Sequence, residues 1–224
     1  MEITRLIING TTKFSMMIAK LVEMEGGAEV IAYTTARRFV NETTIEGKQV
    51  VPFEELSDRF DKREVRILNT IGYSKMNTVR ERVNNEIDES GFVQYSYISP
   101  RAFVATKKSE LIDKGCIILP NAFVGPEVKI GKSTVIYSNC SLTHDIVIED
   151  NVFLGSGCVV GGNVKIGRNS FIGMNSTIKN RISLAPYSLV GCGSNVLKTV
   201  ELERCVIVGN PARVLDGKDS MESL

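Results

Sequence analysis

From Ile112 onward an aliphatic side chain returns at every sixth position: Ile112, Ile118, Val124, Ile130, Ile136, Leu142, Ile148, Leu154, Val160, Ile166, Ile172, Ile178, Leu184, Val190 and Val196. A step of six matches neither the 3.6-residue period of a helix nor the two-residue period of a half-buried strand. It suits a coil of short flat sides, each sending one aliphatic inward, and its persistence predicts a stacked repeat domain. Glycine often follows the aliphatic, at 125, 131, 155, 161, 167, 173 and 191. A corner of unusual φ is the expected reason. Four places after the aliphatic stands a small or β-branched residue, among them Cys116, Ala122, Thr134, Cys140, Cys158, Ser170, Ser176 and Ser188, which would share the interior. Cys140, Cys158 and Ser176 lie eighteen apart, so three sides to a turn would stack them.

Upstream the periods are those of strands and helices in alternation. "EITRLIING" reads as a strand, and Phe14, Met17, Ile18, Leu21 and Val22 then fall on one helical face. Further strands are expected at 28–34, 65–72 and 92–99, with a polar-faced helix over 75–90 stopped by Gly91. Alternation of this kind implies a small parallel sheet of Rossmann-like type, with ligands at the carboxyl ends of its strands. The change of period sets the expected domains: 1–98, an α/β Rossmann-like unit, and 99–224, the repeat with a closing segment.

Composition removes several function classes. Lys and Arg number 27 against 26 Asp and Glu, so no net field argues for nucleic acid or an anionic membrane. "MEITRLIING" has too short an apolar run for a signal peptide, and no stretch approaches the ~20 apolar residues of a membrane span. A cytoplasmic protein is expected. The five cysteines form no CxxC and suit neither a disulfide framework nor a zinc knuckle; small buried thiols are the expected reading.

Residues 112–196 resemble the left-handed parallel β-helix of the hexapeptide-repeat acyltransferases. The whole chain, from "LIING" through "GYSKMN", "SYISPRAFV" and "LTHDIVI" to "VGNPARV", is similar to the sugar acyltransferases of the sialic acid O-acetyltransferase and bacillosamine-pathway N-acetyltransferase type. The resemblance implies a homotrimer that uses acetyl-CoA as acyl donor and a nucleotide-linked sugar as acceptor, with no metal.

The single histidine, His144, stands two places past the inward Leu142 and so faces out of the coil. By resemblance it is the general base, a task for which imidazole is suited because its unperturbed titration falls near neutrality. Asp145 either holds the second ring nitrogen or, as the next residue of an extended chain, points away. Gly162, eighteen residues on, is by resemblance the backbone N–H donor to the oxyanion; the alternative is one more corner glycine. Where the family often carries a second histidine nine residues after the first, this chain has Phe153, which either fills apolar space beside the acyl group or marks an altered site.

By the same resemblance Gly173, Met174, Ser176 and Gly191 contact the pantetheine arm of the coenzyme, and Lys179, Lys198 and Arg213 meet its phosphates. Asn9, Gly10, Thr11 and Thr12 form the first strand-to-helix loop, where backbone N–H groups and a helix N-terminus can cradle phosphate. A single glycine there disfavours a dinucleotide cofactor. Gly72 and Tyr73 join this substrate set, with Tyr73 stacking on a base and Lys75, Asn77 or Arg80 near phosphate. The implied function is acetylation of the amino group of a nucleotide-linked amino sugar. O-acetylation of a sialic-acid-like sugar and a non-catalytic, sugar-binding trimeric scaffold are the alternatives. A carbonic anhydrase on this coil would need three histidines.

Overall fold

The computed structural model describes residues 3–105 and 111–224. It divides into two compact units, Met1–Gly72 with Arg82–Tyr97, and Tyr73–Glu81 with Ile98–Leu224.

The first unit is built on strands β1 (Arg5–Asn9), β2 (Glu29–Thr35), β3 (Thr44–Ile45), β4 (Lys48–Pro52), β5 (Val65–Asn69) and β6 (Val93–Gln94). Their order is β3-β4-β2-β1-β5-β6. All pairings are parallel except the β3–β4 hairpin, whose turn residues Glu46 and Gly47 both take positive φ. The helices are α1 (Lys13–Met24), α2 (Leu56–Arg59) and α3 (Thr78–Ser90). The order puts β2 and β5 on opposite sides of β1, which makes the carboxyl end of β1 the switch point where ligands of such sheets bind. Ile7, Ala32, Val51, Val65, Ile67, Ile87 and Phe92 form the core beneath.

The parallel sheet is as expected, with an added antiparallel edge where "KQVVP" pairs back on Thr44–Ile45. Two expectations are corrected here. The strand expected over 92–99 is two short pieces, Val93–Gln94 and Tyr97–Ile98. The helix expected from 75 starts at Thr78, because Lys75, Met76 and Asn77 have φ of 50°, 49° and 63°, left-handed values that no right-handed helix includes.

The second unit is a left-handed parallel β-helix with three flat faces. Face one stacks Ile117–Ile118, Val135–Ile136, Phe153–Leu154, Phe171–Ile172 and Leu189–Val190, and Cys205–Gly209 and Ala212–Asp219 close it. Face two stacks Phe103–Val104, Phe123–Val124, Ser141–Leu142, Val159–Val160, Thr177–Ile178 and Asn195–Val196. Face three stacks Lys129–Ile130, Val147–Ile148, Lys165–Ile166 and Ser183–Leu184. Partners are eighteen residues apart, as in Leu142 with Val160. Every aliphatic of the six-residue series from Ile118 to Val196 is at most 2% exposed, and burial of each contributes roughly 1.5–3 kcal/mol.

The corner glycines stand where they do for a reason other than φ. A Cβ on Gly125 would come within 1.5 Å of the Thr143 carbonyl oxygen, on Gly167 within 2.4 Å of the Pro186 nitrogen, and on Gly173 within 2.5 Å of the Cys192 nitrogen. These glycines let the next coil approach. The left-handed residue comes two places later: Asn121, Glu127, Ser133, Asn139, Asp145, Asn151, Asn163, Asn169, Asn175, Arg181 and Tyr187 all have φ near 60°. Asn and Asp tolerate that region best among residues with side chains, hence the run of asparagines.

Cys116, Cys140, Cys158 and Cys205 are buried, as small interior thiols should be, and burial pushes the Cys116 thiol up to about 12. Cys192 is the exception; it is exposed at a corner between Gly191 and Gly193. The "GYSKMN" segment lies on face one rather than at a phosphate. Met76 is fully buried against Leu189 and Val206, the Asn77 amide donates to the Ser170 carbonyl (3.1 Å), and the buried Arg80 Nε donates to the Ser133 carbonyl (2.8 Å). Asn77 and Arg80 are therefore unavailable to a ligand.

Replacing Gly167 by Ala should destabilise the protein by about 1–3 kcal/mol, because its neighbours are backbone atoms that cannot turn aside. Urea unfolding checks this, and an unchanged midpoint would contradict the stacking explanation.

Candidate active site

Pro126, His144, Gly162, Asn180 and Lys198 fall eighteen apart on the corner between faces two and three. Backbone hydrogen bonds lock this column: Asp145 N–H to the Pro126 carbonyl (3.1 Å), Asn163 N–H to the His144 carbonyl (3.2 Å) and Arg181 N–H to the Gly162 carbonyl (2.9 Å). Thr143 Oγ1 donates to the Val160 carbonyl (3.1 Å), which ties the residue before His144 to the coil.

The imidazole of His144 is about half exposed, and its Nδ1 lies 2.7 Å from Asp145 Oδ2. Strict alternation along an extended chain would separate the two side chains. The left-handed φ of 52° at Asp145 turns its carboxylate back onto the ring instead. An ionised carboxylate only accepts hydrogen bonds, so Nδ1 donates and the lone pair remains on Nε2. The face of the ring rests on Gly162: a Cβ there would meet His144 Cε1 at 2.4 Å and Nε2 at 2.5 Å. Among the described residues, no group accepts a hydrogen bond from the Gly162 N–H. The corner thus presents a proton acceptor, a group that orients it and a free backbone donor in one place.

The residues expected along the coenzyme divide. Lys179 and Lys198 are exposed on the same corner, Lys198 three coils from His144 or on the order of 14 Å, and Arg213 is exposed in the closing hairpin. None of the three has an ion-pair partner among the described residues. Gly173, Met174 and Gly191 occupy a different corner, between faces one and two. The Gly173 N–H donates to Val190 and the Gly191 N–H to Ile207 (2.8 Å each), so neither amide is left for a ligand; the Met174 side chain is 52% exposed and is. Ser176 is a correction. It is fully buried, its Oγ donates to the Gly173 carbonyl (2.6 Å), and its carbonyl accepts from Val159, so it faces the interior.

Phe153 is a second correction. Only 4% exposed, it sits on face one within an aromatic cluster, with ring centroids 5.1 Å from Tyr73, 5.4 Å from Tyr137 and 5.6 Å from Phe171. Within its own chain it lines no open surface near His144. Tyr73 packs edge-on against Phe153 and lies 4.8 Å from Phe171, while 43% of it remains exposed.

In the first unit, Asn9 is buried and Gly10 has φ of 126°, with no room for a Cβ between Ser15 and Thr70. Thr12 caps α1 in a reciprocal box with Ser15, and Thr11 is half-buried beside it. Gly72 is half-buried beyond the end of β5. Sequence reasoning missed Ser15 and Thr70, whose hydroxyls meet at 2.8 Å under this loop while Thr70 also bonds the Asn9 carbonyl (2.7 Å). The "TxxS" spacing of Thr12 and Ser15 was the available signal.

Residues 145–180 match the family described as bacterial transferase hexapeptide (six repeats). Among curated proteins none matches. Solved structures do. The acetyltransferase domain of PglB from Neisseria gonorrhoeae aligns over 94% of this chain and 99% of its own, with a TM-score of 0.79 and 17% identity. PerB from Caulobacter crescentus, solved in complex with CoA and GDP-perosamine, aligns over 96% and 98%, with 0.81 and 18%. WeeI from Acinetobacter baumannii aligns over 95% and 100%, with 0.80 and 22%. This chain has their fold. The alignments run through both of its units, so the pairing of an α/β unit with a hexapeptide coil is common to all four chains.

The lone imidazole makes the geometry testable. Nitrogen-15 spectra should show the neutral ring protonated on Nδ1, and Asp145→Ala should move the population toward Nε2–H. A ring already protonated mainly on Nε2 in the wild type would contradict the hydrogen bond.

Proposed function

We propose that the protein is an acetyl-CoA-dependent acetyltransferase acting on the amino group of a nucleotide-linked amino sugar. The observation that carries this reading is the His144 imidazole, held at Nδ1 by Asp145 and seated on Gly162. Support comes from the fold shared with PerB, whose structure holds CoA and GDP-perosamine.

The amine lone pair attacks the thioester carbonyl while His144 Nε2 accepts the amine proton, so no acyl-enzyme is required. Asp145 stabilises the imidazolium that forms and fixes the tautomer that can act. The oxygen of the tetrahedral intermediate takes its hydrogen bond from the Gly162 N–H, a donor set in advance by the coil. Collapse breaks the carbon–sulfur bond, and the imidazolium returns its proton to the departing thiolate. Free coenzyme A and the N-acetyl sugar leave, with atoms and charge balanced.

Lys179, Lys198 and Arg213 supply cations for the coenzyme phosphates, and Met174 an apolar contact. His144 stands on an outer corner beside face two, where Phe103, Phe123 and Val159 are exposed and the first two rings stack at 5.3 Å. A second copy against that face would give the corner its opposing wall. In a homotrimer each pair of neighbours would share one such groove.

The non-catalytic scaffold remains a distinct reading because Phe153, sealed in its aromatic cluster, offers no polar group to an acyl chain. Absence of both acetyl-CoA binding and turnover in protein with His144 intact would favour it. For the transferase, His144→Ala lowers turnover by ~10²–10⁴-fold and leaves acetyl-CoA affinity within about twofold. Steady-state kinetics with calorimetric titration of acetyl-CoA checks this, and undiminished turnover would remove the base. Light scattering should find a trimer; a monomer that retains full activity would contradict the shared groove.

A further inference from the structure

The corner that carries His144 changes charge along its length. One coil below Asp145 stands Glu127, while the coils above carry Lys179, Arg181 and Lys198, all exposed and without an ion pair among the described residues. A ligand with phosphates is therefore drawn to run from His144 toward Lys198, away from the two carboxylates. Between the reacting end and the cations lies Asn180.

Asn180 is eighteen residues past Gly162 and so one coil above it. The base of its side chain is fixed by the glycine pair beneath, for a Cβ on Gly161 would meet the Asn180 nitrogen at 2.6 Å and its Cβ at 3.1 Å. Asn180 is exposed, and its carboxamide makes no hydrogen bond among the described residues. Backbone conformation does not explain the residue either. Asparagines elsewhere on the coil corners serve left-handed turns, but here the left-handed residue is Arg181, with φ of 59°, and Asn180 only precedes it.

In acetyl-CoA four single bonds separate the thioester carbonyl carbon from the nitrogen of the first amide of the pantetheine arm, an extended reach of roughly 5 Å. Coils repeat at ~4.8 Å. A thioester whose oxygen is held by the Gly162 N–H thus brings that amide level with Asn180. The two groups also match chemically, since a carboxamide supplies both an acceptor and donors to an amide that has one of each.

We infer that Asn180 is a positioning residue for the acyl donor, its side chain bonding the first amide of the pantetheine arm and setting the height at which the thioester stops over Gly162. This rests on the transferase reading above and assigns to one side chain of this corner a task that the coil backbone does not perform. Asn180 touches no reacting atom. It acts by holding the carbonyl carbon opposite His144 Nε2 rather than a coil above or below.

The test is calorimetric titration of the full-length protein and of Asn180→Ala, at an exposed position that packing does not constrain, with acetyl-CoA and with adenosine 3′,5′-bisphosphate, a fragment of the coenzyme without the arm. The variant should bind acetyl-CoA roughly three- to tenfold more weakly, as expected for one neutral hydrogen bond, and the bisphosphate within about twofold of the wild type. Proton–nitrogen spectra give a second readout: the Asn180 side-chain NH₂ pair, identified by its loss in the variant, should shift with acetyl-CoA and stay in place with the bisphosphate. Unchanged affinity for acetyl-CoA, an equal loss for both ligands, or a side-chain signal that moves with the bisphosphate would each overturn the inference. The transferase reading fails separately. His144-dependent acetyl transfer with an acetyl-CoA affinity indifferent to Asn180→Ala rejects the contact alone, whereas a selective loss of acetyl-CoA binding in a protein that transfers no acetyl group supports the contact and rejects the transferase.

Discussion

Each coil of the β-helix must lie one strand spacing from the next with its backbone hydrogen bonds made, and that approach dictates which residue can stand at each corner. The residue just past the inward aliphatic can have no side chain where the next coil presses on it, as at Gly125, Gly167 and Gly173. Two places later the chain must enter the left-handed region to turn onto the next face. Only the residue between them is free to project outward. His144 is that residue, and its neighbour Asp145 is the turning one, so one backbone conformation both exposes the imidazole and aims a carboxylate at it.

The same constraint supplies the floor beneath the ring. Position 162 lies one coil from position 144, and only a glycine there leaves space for the imidazole. A second glycine in succession, at 161, is spent on the approach of Asn180, which is why the pair "GG" occurs where a single glycine serves elsewhere. Gly162 thus answers to the histidine rather than to the coil, and its unclaimed N–H distinguishes it from Gly173 and Gly191, whose amides are consumed by the ladder.

Much of this was legible in the residues. The six-residue series was sufficient for the coil, because a single inward aliphatic per face repeats without a gap from Ile118 to Val196. The stacking of His144 under Gly162 followed from counting eighteen. What stayed hidden depended on φ or on contacts between distant segments. The pairing of Asp145 with His144 depends on the left-handed φ at Asp145, since an extended chain sends adjacent side chains apart. Three successive left-handed residues at 75–77 turned an expected helix start into a strap on face one, and buried Asn77 and Arg80 away from any ligand. Ser176 was misassigned because its place in the six-residue frame, four after the aliphatic, is an interior one.

The most direct test of the central claim is the structure of the protein crystallised with acetyl-CoA. The account predicts the thioester carbonyl oxygen about 2.7–3.1 Å from the Gly162 nitrogen, with its carbon facing the open side of His144 Nε2. A well-ordered thioester bound away from that corner, with His144 left facing solvent, would contradict it.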